Sequence, residues 1–116
     1  MSYNTKLADR IREYLSTIPN LKIEEKKMFR GMTFMVNGKM CVCVSGENLM
    51  CRYDPELQEE LAAKKGFEAM VMKNREYKGY CYINPEGYTS KKDFEFWVNQ
   101  CLDFNSRAKA SKKRTK

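Results

Sequence analysis

The feature that most constrains this chain is an Asn37-Gly38 pair flanked on both sides by apolar runs, within MFRGMTFMVNGKMCVCVSGENLMCRY from Met28 to Tyr53. Asn-Gly suits a two-residue type I′ turn, because both central residues need positive φ. A two-residue loop predicts Val36 opposite Lys39, Met35 opposite Met40, Phe34 opposite Cys41, Thr33 opposite Val42 and Met32 opposite Cys43. One face of this hairpin then reads Met32, Phe34, Val36, Cys41, Cys43, and the other reads Thr33, Met35, Met40, Val42, Val44. Both faces are largely apolar. A half-solvated hairpin alternates apolar with polar residues, so this one is expected in mid-sheet with something covering each side.

The rest of the chain supplies further elements around that hairpin. Leu7, Ile11, Tyr14, Leu15 and Ile18 recur at helical spacing, which predicts a helix from about Asn4 to Thr17, stopped ahead of Pro19. The charged segment from Lys22 to Phe29 reads as an edge strand. A turn at Ser45-Gly46-Glu47-Asn48 leads to a strand over Leu49 to Tyr53. Asp54-Pro55 opens a second helix, with Asp54 as cap, and Gly66 ends it. Ala69 to Lys73 and Lys78 to Ile83 read as strands joined by Asn74-Arg75-Glu76, and Gly79 at a strand start allows close approach of another backbone. After a turn at Asn84-Pro85-Glu86-Gly87, Ser90 and Asp93 form a capping box. The last helix follows, with Phe94, Trp97, Val98, Cys101, Leu102 and Phe104 as its apolar stripe. Hairpins grouped together with helices around them predict an α+β fold: a curved, mainly antiparallel sheet of about five to six strands with N-terminal, middle and C-terminal helices.

A length of 116 residues is enough for one domain with a real core. The net charge of +7 is unevenly placed. Arg107, Lys109, Lys112, Lys113, Arg114 and Lys116 put six cations in the last ten residues, whereas residues 1–106 carry 16 basic and 15 acidic side chains. The expected organisation is one domain over 1–106 and a flexible basic tail over 107–116, with the basic character belonging to the tail rather than to a face. The opening MSYNTKLADR has charges where a signal peptide needs an apolar core, and no apolar run approaches the roughly 20 residues of a membrane span. A cytoplasmic location without membrane contact is expected. Cys41, Cys43, Cys51, Cys81 and Cys101 then read as reduced packing residues.

Chemistry is scarce. The chain has no histidine, which removes the commonest general base and neutral metal ligand. Cys41-x-Cys43 with Cys51 lacks the spacing of a zinc clamp. The glycines do not form a phosphate loop. No metal, cofactor or catalytic residue is expected, and the chain reads as a non-enzyme. Tyr77, Tyr80, Tyr82 and Tyr88 lie near Arg75 and Lys78, and aromatics interleaved with basic residues on a sheet can stack single-stranded bases. The alternative is that Tyr80 and Tyr82 cover the last helix, with hydroxyls at the rim. A nucleic-acid contact would use Arg75, Lys78, Tyr80, Tyr82 and the tail cations. Methionine suits an adaptable partner surface, for which Met32, Phe34, Met35 and Met40 are the candidates.

Met28-Phe29-Arg30-Gly31-Met32, the hairpin ending Asn37-Gly38-Lys39-Met40, and Asn48-Leu49-Met50-Cys51-Arg52 resemble the N-terminal domain of the TfoX/Sxy family. Met70, Lys78-Gly79-Tyr80 and Trp97-Val98 are similar to that family in order and spacing, so the likeness runs from roughly Ala8 to Phe104. Arg30 departs from it, standing where the family often has a second glycine, and a different local turn is expected there. The resemblance implies a small α+β domain with a curved antiparallel sheet, and a link to the transcriptional regulation of natural competence. The best-known members carry a second, C-terminal domain; here the resemblance implies a stand-alone N-terminal domain. Two functional classes follow: a non-enzymatic regulatory module that binds a protein partner, with a homodimer as the first candidate, or a nucleic-acid-binding protein. The tail would add a weak, unspecific nucleic-acid contact in either case.

Overall fold

The computed structural model describes residues 3–28 and 31–107. In chain order the elements are α1 (Thr5–Ser16), β1 (Ile23–Met28), β2 (Gly31–Val36), β3 (Lys39–Ser45), β4 (Asn48–Arg52), a 3-10 turn (Pro55–Leu57) running into α2 (Gln58–Ala62), β5 (Phe67–Met72), β6 (Arg75–Ile83), α3 (Pro85–Tyr88) and α4 (Lys91–Asn105). The strands form one antiparallel sheet in the order β1-β2-β3-β4-β6-β5. This is the α+β architecture that the hairpin pattern predicts, with β1 at one edge as expected. The residues from Asn84 to Gly87, expected as a turn, enter the short helix α3 instead.

Local chemistry accounts for the element ends. The Asn4 side chain accepts a bond from the Leu7 amide at 3.0 Å, and Ser90 Oγ accepts one from the Asp93 amide at 3.1 Å. Asp54 caps the Pro55 turn by accepting from the Glu56 amide at 3.0 Å, and Pro55 occupies a first-turn position that needs no donor. Asn37 and Gly38 hold φ of 53° and 85°, as a type I′ turn requires. Lys73 and Asn74 do the same at 52° and 65°. The β5–β6 hairpin therefore turns on two residues, and the expected Asn74-Arg75-Glu76 loop is corrected: Arg75 and Glu76 already belong to β6.

The hairpin register agrees with expectation next to the turn and departs from it beyond. Val36 pairs with Lys39 and Met35 with Met40, but Phe34 then pairs with Val42, Thr33 with Cys43 and Met32 with Val44. Cys41 is an extra residue, a β-bulge between Phe34 and Met35 on the facing strand. One inserted residue exchanges the faces of everything after it. Val42 and Val44 consequently join Phe34 and Val36 in the larger core, whereas Cys43 joins Met35 and Met40 on the opposite side. Cys41 also stays with the larger core, so two neighbouring residues of β3 point the same way.

The helices lie on one side. Leu7, Ile11 and Leu15 of α1, Leu61 of α2, Tyr88 of α3 and Phe94, Trp97, Val98 and Cys101 of α4 share a core with Phe34, Val42, Leu49, Cys51, Cys81 and Ile83 from the sheet. The other side holds Met35, Met40, Cys43, Met50 and Met70, with Met28, Tyr80 and Tyr82 packed against them. No described helix residue takes part in that second cluster, so the expected cover on both faces is found as helices on one face only.

Gly79 lies inside β6, not at its start. There the strand leaves its β5 pairing for three residues, from Tyr77 opposite Met70 to Cys81 opposite Ala69. Its φ is +94°, its carbonyl accepts from the Tyr53 amide at 2.9 Å, and a Cβ would stand 3.1 Å from Pro55 Cγ. Replacing Gly79 with alanine is expected to lower stability by roughly 1–3 kcal/mol. Urea unfolding of the variant, with an unchanged m-value, checks this.

Candidate interaction surfaces

The proposed nucleic-acid residues do not form one site. Arg75 and Lys78 are exposed on the first half of β6. Tyr80 and Tyr82 are half-buried on the second half, and they pack against the methionine cluster rather than against α4. The reading in which they cover the last helix is corrected by strand parity: Cys81 and Ile83 point to the helices, so their neighbours point away. Tyr77 stands with Tyr80, ring centroids 6.4 Å apart, and the Arg52 guanidinium lies 5.8 Å from the Tyr80 ring. Tyr88 is elsewhere, buried on α3 with its hydroxyl donating to the Glu47 carbonyl at 2.6 Å. Of the tail cations only Arg107 is described. It is bound to Asp54 at 2.8 Å and reaches Asp103 at 3.4 Å. Lys109, Lys112, Lys113, Arg114 and Lys116 lie outside the described residues, as does Arg30.

The proposed partner surface is divided by the sheet. Phe34 is fully buried in the helix-side core, and Met32 is half-buried against it. Met35 and Met40 belong to the second cluster, 8% and 6% exposed. Those four side chains offer no common face. What stands out instead is the β5–β6 hairpin tip, of which the sequence pattern singled out Tyr77, Arg75 and Lys78 but not Val71. Met70 to Tyr77 pair only with each other, beyond the point where β6 joins β4 at Tyr80. Val71 and Tyr77 are the large apolar side chains left exposed among the described residues, at 61% and 45%. Lys73, Arg75, Glu76 and Lys78 surround them. Valine and tyrosine in a strand read as ordinary core or rim residues; only the departure of β6 at Gly79 leaves them outside.

The five cysteines are all reduced and buried. Cys51 faces Cys81 across β4 and β6, with Cys101 of α4 packed in the same core. Burial pushes the Cys41 and Cys51 thiols far up and Cys43 to about 12, so none of these three is a thiolate near neutral pH. Among the described residues no group of His, Cys, Asp or Glu is placed to hold a metal ion. Burial raises the Tyr53 hydroxyl as well; it donates to Gln58 Oε1, which also accepts from the Gly79 amide at 3.3 Å. That buried network holds the β6 bulge against α2.

Two shallow clefts flank α4. One, of about 360 Å³, is lined by Lys64, Lys65, Lys92, Asp93, Phe96 and Trp97. The other, of about 330 Å³, lies between α1 and α4 and mixes Arg10, Lys91, Glu13 and Glu95 with Tyr14 and Phe94. Both are bordered by side chains that bind one another or the fold: Lys64 Nζ sits 4.5 Å above the Phe96 ring, and Arg10 stacks 4.2 Å over Phe94 while donating to the Tyr88 carbonyl at 3.1 Å.

Arg12 of α1 grips Glu25 of β1 through two bonds of 2.6 and 2.8 Å. The guanidinium holds the Glu25 carboxyl below its usual range. A depressed carboxylate contributes stability that is complete above the unfolded value of about 4.3 and is lost as pH falls through the folded value. Glu25→Gln is therefore expected to flatten the fall in stability below about pH 4. Urea midpoints measured from pH 7 downward for both proteins check this.

The class of protein these observations define is a small α+β domain, an antiparallel sheet with one helix layer. Residues 13–105 match the family model described as the TfoX N-terminal domain, and the chain belongs to that family. No curated protein and no solved structure matches the chain. No described helix is long and apolar enough to cross a membrane.

Proposed function

We propose that this domain is a non-enzymatic protein-interaction module that works through the β5–β6 hairpin tip. The observation that carries the reading is the exposure of Val71 and Tyr77 at 61% and 45%, on opposite faces of one strand pair with basic residues at its rim. An exposed aromatic on one face and an exposed aliphatic on the other give the tip apolar contact area on both sides, rimmed by charge. The chemistry of the chain favours binding over turnover: it has no histidine, and three of its five thiols are held protonated by burial. The regulatory association implied by the family resemblance, natural competence included, fits a module of this kind.

Lysine cross-linking of the full chain in native extract tests this. Lys73 and Lys78 flank the tip, and they are expected to give intermolecular protein cross-links that Lys26 and Lys27 of β1 do not. Tyr77→Ser is expected to remove them. Equal cross-linking from both strands, or turnover of a small metabolite abolished by changing one polar cluster, would overturn the reading.

A second reading is favoured by the exposed Arg75 and Lys78 beside Tyr77, and by the concentration of cations after residue 106. In that reading the tail makes a weak, unspecific contact with nucleic acid. With Arg107 committed to Asp54, five remaining tail cations set a salt slope no steeper than about −4.5 on duplex DNA. Truncation after Arg107 is expected to abolish the binding seen at low salt. Binding that survives the truncation would move the contact to Arg75, Lys78 and the tyrosines.

A further inference from the structure

The two strands that bound the sheet are built differently. β1 reads IEEKKM, with Glu24, Glu25, Lys26 and Lys27 as four charges in six residues. Charge on an edge strand, lysine above all, discourages further pairing. β5 reads FEAMVM, with Glu68 as its one charge and no proline. Its first residue is tied to the exit of α2, the Phe67 amide donating to the Lys64 carbonyl at 3.3 Å. From Glu68 to Met72 no described strand pairs with its outer side. The exposed Val71 lies on this run.

We infer that the outer edge of β5 pairs antiparallel with β5 of a second copy of the chain, joining the two sheets across a twofold axis. This deepens the interaction reading above and rests on it. Charge placement selects the partner and the direction. Glu68 stands near the start of β5, its Oε2 accepting from Asn84 Nδ2 at 3.2 Å, and Lys73 lies just past the strand's end, both exposed. Antiparallel self-pairing brings the Glu68 end of each strand beside the Lys73 turn of the other, twice over. Parallel pairing would stack carboxylate on carboxylate and ammonium on ammonium. Between those ends the strand offers Ala69, Met70 and Val71, which bring no charge into the seam. A twofold contact of this kind is closed, each edge satisfying the other. Edge-to-edge addition supplies main-chain hydrogen bonds, with side chains setting the choice of partner.

Sedimentation equilibrium of the full chain across micromolar to hundred-micromolar concentration at physiological salt tests the inference, with hydrogen exchange read at both extremes. The expected result is a reversible dimer in which amides of Glu68–Met72 gain protection with concentration while those of Ile23–Met28 do not. Val71→Lys is expected to weaken association at least tenfold with the urea midpoint unchanged. Glu68→Lys is expected to weaken it by roughly fivefold, like charge replacing opposite charge at both ends of the seam, and added Lys73→Glu to restore it. Restoration is a result that a purely structural role for Glu68 would not give. A monomer through the whole range, or a dimer indifferent to Val71→Lys and protected at β1, overturns the pairing. If the tip still cross-links to other proteins in extract, the interaction reading stands while self-pairing falls; if those cross-links are also absent, both fall.

Discussion

The parity of side chains along β3 is the constraint on which the rest of the structure depends. Met40 points to one side of the sheet, and the inserted Cys41 lets Val42 and Val44 point to the other. Without the extra residue, both valines would leave the core that α1 and α4 cover, and Cys43 would enter it in their place. The bulge sorts branched aliphatics, which pack with few rotamers, onto the side that needs a fixed shape. Methionines, with flexible side chains, collect on the side made of strands alone. The division of the protein into two unlike faces therefore starts at one residue.

Polar ties hold the helix layer to that sheet at its periphery. Lys39, the first residue after the hairpin turn, donates to the Asn105 carbonyl at 3.0 Å, placing a cation at the negative end of α4. Arg12 joins α1 to β1, Tyr14 donates to Asn99 of α4 at 2.7 Å, and Arg107 joins the end of α4 to the cap of the Pro55 turn. All but the Arg12 tie cross between elements far apart in sequence. Exposed pairs contribute little individually. Their positions nevertheless fix how the helices are rotated over an apolar core that by itself has little directional preference.

Much of the fold was legible because its signals are local. Asp54 and Ser90 cap helices through atoms two or three residues away, and Asn37-Gly38 makes its turn without outside help. The strand order of the first four strands follows from short connections. The Cys41 bulge was not legible, because Cys41, Val42 and Cys43 are all apolar and either register buries them. Nor was the turn at Lys73-Asn74, since lysine at positive φ has no sequence signature. Tyr80 and Tyr82 could be placed on one face from their spacing, but which face depends on β4 pairing across Cys51 and Cys81. That the hairpin tip stands free eluded sequence reasoning for the same reason, although the pattern marks Tyr77, Arg75 and Lys78: the exposure of Val71 and Tyr77 arises where β6 departs at Gly79, and a glycine alone does not announce how many residues a strand will set free.

The unequal edges of the sheet also fix what kind of assembly is within reach. An open strand at both ends would let copies add indefinitely, head to tail, and the natural product would be a fibre. With β5 paired as inferred, the four charges on β1 would keep the other end closed and leave the domain a valence of one. Growth that uses the remaining end terminates itself at the first addition, whatever the concentration. Sequence change at Lys26 or Lys27 would therefore alter not the strength of association but its arithmetic, from a finite pair to an open chain.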